Sequence, residues 1–143
     1  MSSDDQDTGA KRPRVLLVDD HPEVFDGLRR LLEPKFEVVA TAQSGEEMLT
    51  IARQEQPDLL VVDISMPNVS GIEAARRLRK ENARAKIVFL TMHQDAALVQ
   101  QGLAAGALGY VLKVFARTDL IQALQRALRG EQFVSPALEK GLR

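Results

Sequence analysis

The run VLLVDDHPEVF, residues 15–25, carries four aliphatic residues straight into two adjacent aspartates. A continuous aliphatic run of this length suits a strand covered on both faces, as in a parallel sheet. Two like charges at its end repel each other, so Asp19 and Asp20 need a neighbour that offsets the repulsion. The same grammar recurs along the chain. Apolar runs fall at Arg14–Val18, Phe36–Thr41, Leu59–Val62, Lys86–Leu90 and Ala107–Leu112, separated by segments of helical period.

Those segments carry helix signals of their own. Pro22 suits a first helical turn and precedes Val24, Leu28, Leu31 and Leu32 at helical spacing. Ser44 stands three before Glu47, a capping-box pattern, ahead of Met48, Leu49 and Ala52. Ser70 is placed to cap a helix bearing Ile72, Ala75 and Leu78, and Asp95 to cap Ala96–Ala105. Thr118 or Arg117 opens a last helix with Leu120, Ile121, Leu124 and Leu128, closed by Gly130. Strands and helices in strict alternation predict an α/β fold, a doubly wound parallel sheet. Five βα units fit the flavodoxin-like order 2-1-3-4-5. Residues 1–13 read as a disordered N-terminal tail, 14–130 as the folded domain, and 131–143 as the start of a linker.

Composition narrows the function classes. The 143 residues carry 19 basic and 20 acidic side chains, a formal net charge of −1, so no strongly basic surface for nucleic acid is predicted. The cluster Arg76, Arg77, Arg79 and Lys80 lies beside Glu73 and Glu81 and reads as a solvated helix face. Without cysteine there are no disulfides or thiolate metal sites. The N-terminus lacks the apolar core of a signal peptide, and Ala96–Val111 is too short and polar to span a bilayer, so a cytoplasmic location is expected.

In sheets of this kind ligands bind beyond the carboxyl ends of the strands. VLLV is followed by Asp19 and Asp20, LLVV by Asp63, IVFL by Thr91, and GYVL by Lys113. One such polar residue is unremarkable as a helix cap, but a lysine does not cap, and caps need not converge. Three carboxylates tolerate one another if a divalent cation sits among them and an ammonium flanks them. Oxygen donors without a His or Cys cluster favour a hard ion, Mg²⁺ above others, which completes its shell with phosphate oxygen. The chemistry indicated is phosphoryl transfer to a carboxylate, with Asp63 of the middle strand as nucleophile.

The pieces VLLVDDHP, DISMPNVSG, VFLTMH and GYVLK resemble the response-regulator receiver domains of two-component signalling over residues 14 to about 130. LTMH, GYVLK and GEQFVSP are most similar to the NarL/LuxR-type subfamily. The resemblance implies Asp63 as phosphoacceptor, Asp20 as direct Mg²⁺ ligand, Asp19 as holder of the metal's waters, and Ser65 as ligand through its backbone carbonyl. It implies Thr91 and Lys113 as phosphoryl-binding groups, Thr91 and Tyr110 as the switch, and a loop shaped by Pro67, Asn68 and Gly71. His93, two beyond Thr91, stands where it either assists or blocks an attacking water. Val114 replaces the proline that many receivers place after the lysine, which leaves open how that loop is held. His21 reads as a helix-entry residue, imidazole being a poor Mg²⁺ ligand.

The partners so implied are a sensor histidine kinase, a second copy of the chain on phosphorylation, and DNA only through a helix-turn-helix output domain absent from this chain; no membrane is expected. Such a protein catalyses only its own phosphorylation and dephosphorylation. A stand-alone single-domain receiver is the alternative. An Mg²⁺-dependent phosphohydrolase is disfavoured, because Ser65 stands where a second acid would serve. A phosphorylation-independent interaction module would not need the full set of acids and lysine.

Overall fold

The computed structural model describes residues 11–64, 71–92 and 96–139. The strands are β1 (Arg14–Val18), β2 (Glu37–Ala42), β3 (Leu59–Asp63), β4 (Lys86–Thr91), β5 (Gly109–Leu112) and β6 (Phe133–Val134). The helices are α1 (Val24–Leu32), α2 (Gly45–Glu55), α3 (Gly71–Glu81), α4 (Ala96–Ala104), α5 (Ala116–Leu128) and α6 (Pro136–Glu139). The sheet order is β2-β1-β3-β4-β5-β6, every pair parallel. The doubly wound parallel sheet is as expected, but it has six strands rather than five. Phe133 and Val134, expected in a linker, pair with Gly109 and Tyr110 at the β5 edge. A two-residue strand ahead of a proline carries too little periodicity to be read from sequence.

Strand parity sorts the core into two layers. Leu16, Val18, Leu60, Val62, Ile87, Phe89, Tyr110 and Leu112 face one cluster, with Met48, Leu78 and Val99 from α2, α3 and α4. Val15, Leu17, Leu59, Val61, Val88, Leu90 and Val111 face the other, with Phe25, Leu32, Leu120 and Leu124 from α1 and α5. Burial on both sides explains why these strands read as continuous apolar runs.

Local signals behave unevenly. The Ser44 hydroxyl accepts the Glu47 N–H at 3.1 Å, and the Glu47 carboxylate accepts the Gln43 N–H. Such a cap stabilises by about 1 kcal/mol. The last helix differs from expectation: a 3₁₀ turn at Lys113–Phe115 runs into α5 at Ala116. Thr118 is therefore inside the helix, where its hydroxyl donates to the Phe115 carbonyl at 3.0 Å instead of accepting from backbone. At the other terminus, Arg12 donates to the Glu33 and Phe36 carbonyls and the Pro13 carbonyl accepts the Glu37 N–H. Residues 11–13 are thus fastened to the sheet, within a stretch read as a tail. The capping assignments to Ser70 and Asp95 lie outside the described residues.

Candidate functional site

Parity also explains which strand-end groups meet. Asp19, Asp63 and Lys113 continue the register of the layer packed by α1 and α5, so their side chains rise over the same part of the carboxyl edge. Asp63 follows Val62 on β3 and lies opposite Leu90; β1 adjoins it on one side and β4 on the other. Lys113 follows β5, and its long side chain crosses above β4 to reach the acids. Its Nζ lies 2.7 Å from Asp19 Oδ2 and 3.5 Å from Asp63 Oδ2. Both carboxylates are almost completely buried, 2% and 3% exposed, which makes their compensation by an ammonium obligatory. Burial pushes the Lys113 pKa down, but the hydrogen bond to Asp19 and the attraction of Asp63 outweigh it, and the net shift is upward. Lys113 is a fixed cation at neutral pH.

Asp20 is the more open acid. Its Oδ1 atom is buried and accepts no hydrogen bond; the His21 Nδ1 lies 3.0 Å away in a charge contact without hydrogen-bond alignment. His21 does more than begin a helix. Its backbone N–H donates to Asp19 Oδ1 at 2.9 Å, and its ring nitrogen sits 3.3 Å from the same oxygen. Hydrogen bonding to Asp19 and the charge of Asp20 raise the imidazole pKa. Among the described residues, one oxygen from each of Asp19, Asp20 and Asp63 and a nitrogen of His21 lie within 4.8 Å of one another. Three carboxylates with an unsatisfied buried oxygen fit a hard divalent cation; the exposed imidazole is the least suited of the four.

The backbone behind Asp63 is tightly enclosed. A Cβ on Gly71 would stand 2.5 Å from the Asp63 carbonyl oxygen and 3.0 Å from Val62 Cγ1. Only glycine lets α3 begin this close to the strand end. Thr91 is 1% exposed at the tip of β4, opposite Leu112, on the parity of Phe89. Tyr110 is fully buried, its ring 5.7 Å from that of Phe89 with 54° between the planes. Val114 sits in the 3₁₀ turn after Lys113, and all described peptide bonds are trans. Val114, Phe115 and Met92 are the exposed large apolar residues around this edge, at 69%, 45% and 57%.

The structure therefore brings together Asp19, Asp20, Asp63 and Lys113, with Thr91 on the opposite layer of the same edge and Tyr110 deeper in that layer, opposite Phe89. Ser65 and His93, and with them Pro67 and Asn68, lie outside the described residues. An acid pair, a central acid and a lysine at the carboxyl edge of a 2-1-3-4-5 core agree with a family match. The response regulator receiver domain model matches residues 15–125. The chain belongs to the response-regulator receiver family.

This receiver is 34% identical over 131 residues to the transcriptional regulatory protein DegU of Brevibacillus brevis, covering 90% of this chain and 56% of that protein. It is 36% identical to the response regulator GacA of Pseudomonas viridiflava, covering 90% of this chain and 61% of that one. The receiver thus spans somewhat over half the length of these curated relatives. Among solved structures it is similar to a LuxR-family two-component response regulator from Aurantimonas sp. SI85-9A1, at 39% identity and TM-score 0.88, covering 92% of this chain and 96% of that one. It is also similar to the isolated receiver domain of RcsB from Salmonella enterica serovar Typhimurium, solved with the phosphomimetic BeF₃⁻. That match has 28% identity and TM-score 0.84, and covers 93% of this chain and all of that one. Its relatives are response regulators of the LuxR/NarL type, which are signalling proteins. No helix among the described residues is long and apolar enough to cross a membrane.

Sequence reasoning missed three participants. From the sequence His21 reads as a helix entry rather than a metal ligand; its contact with the acids follows from the turn after Asp20, which no motif announces. Ser135 and Asp119 were not singled out. Ser135 is fully buried, and its hydroxyl donates to Asp119 Oδ2 at 2.7 Å. Two residues 16 apart with no shared periodicity give no sequence signal.

Proposed function

We propose that this receiver accepts a phosphoryl group on Asp63 from the phosphohistidine of a sensor kinase and passes the change to an output. The observation that carries the reading is the Lys113 ammonium held between the buried carboxylates of Asp19 and Asp63. An Asp63 oxygen attacks phosphorus, the P–N bond of the donor breaks, and its electron pair stays on the departing imidazole, which takes a proton. The product is a mixed anhydride at Asp63. Asp20, Asp63 and the Ser65 carbonyl would hold Mg²⁺, with Asp19 holding its waters, and the ion would supply neutralisation of charge on the phosphoryl oxygens. Lys113 presents a positive charge to one phosphoryl oxygen, and the Thr91 hydroxyl donates to another.

Beside Asp19 and Lys113, α1 and α5 form a groove of about 450 Å³ floored by Val24, Leu28, Leu31 and Ala116. With exposed Val114 and Phe115 alongside, it offers an apolar seat for the donor's helix. Phosphorylation draws Thr91 towards Asp63 and favours the inward Tyr110 ring, biasing a two-state equilibrium. His93, two residues past Thr91, tunes the loss of the phosphoryl group to water. The output is transcription control through a DNA-binding domain, as the name of the DegU relative suggests, with pairing of two receivers on phosphorylation and a cytoplasmic setting.

Incubation with Mg²⁺ and acetyl phosphate, followed by intact-mass measurement, tests the reading. One phosphoryl increment is expected on the wild type and none on Asp63→Ala. An undiminished increment on the variant defeats the assignment.

A further inference from the structure

The turn that carries Lys113 is fastened at three points, and two belong to the C-terminal segment rather than to the turn. The Ser135 hydroxyl accepts the Leu112 N–H at 3.2 Å, immediately before Lys113, while donating to Asp119 Oδ2 at 2.7 Å. The Ser135 N–H donates to the Tyr110 carbonyl at 2.9 Å, closing the β5–β6 ladder. On the far side of the turn, the Thr118 hydroxyl bonds to the Phe115 carbonyl at 3.0 Å and lies 3.2 Å from the other Asp119 oxygen. Leu138, 3% exposed, anchors the segment in the cluster that contains Tyr110 and Leu112.

A single fully buried hydroxyl thus bridges the last residue of β5 to the first turn of α5. Lys113, Val114 and Phe115 are the residues spanned. The turn is closed by the Ala116 N–H on the Lys113 carbonyl, but its exposed Val114 and Phe115 give it little packing against the rest of the fold. Its two ends are held by the Ser135 and Thr118 hydroxyls, both of which bond to Asp119.

We propose that Ser135 and Asp119 are positioning residues for Lys113, so that the docked segment Phe133–Leu138 is a working part of the phosphoryl site. The proposal rests on the reading of Lys113 as a phosphoryl-binding group. A hydrogen bond made by the segment holds the start of the turn, a carboxylate of α5 holds that hydroxyl, and the ammonium is aimed at Asp19 and Asp63 as a result. Undocking the segment frees the turn and lets Lys113 swing away from the acids. Docking of the C-terminal segment and competence for phosphorylation are then coupled in both directions.

The test uses the full chain and two independent readouts. Trace labelling with acetic anhydride, read by peptide mass, reports the accessibility of each lysine. Lys113 in the wild type is expected to label far more slowly than exposed Lys35 and Lys80. In Ser135→Ala and in Asp119→Ala the Lys113 rate should rise by about threefold to tenfold, the scale of one buried hydrogen bond, with Lys35 and Lys80 unchanged. Phosphoryl uptake from acetyl phosphate with Mg²⁺ should fall by about the same factor. Asp119→Asn, whose amide oxygen can still accept from Ser135, should restore most of the protection. Unchanged Lys113 labelling in both alanine variants overturns the proposal. So does a rise shared by all lysines with a lowered unfolding midpoint, which would mark general loosening. A wild type that takes no phosphoryl group defeats the functional reading instead, and the labelling result still decides whether the clamp exists.

Discussion

At the amino edge of the sheet Arg14 meets Glu55 at 2.9 Å, Arg53 meets Glu81 at 2.6 Å, Arg79 donates to the Ala83 and Ala85 carbonyls, and Lys86 donates to that of Leu128. At the carboxyl edge, among the described residues, three carboxylates gather around the Lys113 ammonium and the exposed His21 imidazole. At the first edge each cation meets a carboxylate or a backbone carbonyl near solvent, where each contact adds little. The second keeps an excess of negative charge in a buried setting, which lowers stability unless a cation enters. Exposed, partnered charge is a structural surface, whereas clustered buried acids mark the edge at which the phosphoryl chemistry is proposed.

If that contrast is sound, neutralising an acid acts with opposite signs at the two edges, and removing the lysine of the carboxyl edge costs more than either. The largest expected effect is Lys113→Met, which strands Asp19 and Asp63; metal-free stability in urea should fall by about 2 kcal/mol. A variant as stable as the wild type would break the contrast. Next, Asp20→Asn at pH 8, where the exposed imidazole contributes least, relieves repulsion. It should raise metal-free stability by about 1 kcal/mol and abolish the Mg²⁺-dependent rise in melting temperature expected for the wild type. A loss of stability would show that the acids are better compensated than their geometry implies.

A third substitution probes the layer opposite the acids. A Cβ on Gly102 would stand 2.7 Å from the Tyr110 ring and 3.0 Å from Phe89. Gly102→Ala should therefore displace the Tyr110 ring, costing about 1–2 kcal/mol from overpacking. Tyr110 is the only tyrosine and there is no tryptophan, so its near-ultraviolet signal isolates the change. An unaltered spectrum would mean that α4 yields instead of the ring.

The smallest effect belongs to the amino edge. Hydrogen bonding to Arg53 and its charge hold the Glu81 carboxyl below its usual pKa. A lowered folded-state pKa gives stability that is complete above the unfolded value and lost as pH falls through the folded one. Glu81→Gln should therefore melt slightly below the wild type at pH 7, with the difference vanishing in acid once the pH falls below the lowered folded-state pKa. A gap that persists there would assign the contribution to packing rather than charge.

The fold was legible because its strands are buried on both faces, so VLLV, LLVV and IVFL announce themselves without a partner in view. Asp63 and Lys113 were legible because each ends such a run. The sixth strand was not, since FV has no period and is held by the edge it joins. The start of α5 was misplaced because a 3₁₀ turn precedes it, and Thr118 resembles a cap in sequence while bonding to Phe115 in space.

By itself, the order of residues determined the alternation of strands and helices, the two-sided burial, and the set of strand-end groups, because hydrophobic period is a local property. Tertiary structure alone decided that Lys113 crosses β4 to lie between Asp19 and Asp63, that His21 turns back over the acids, and that Ser135 joins β5 to α5. Those contacts join residues up to 94 positions apart, and which side chains meet there depends on strand order and parity, quantities that exist only once the sheet is assembled.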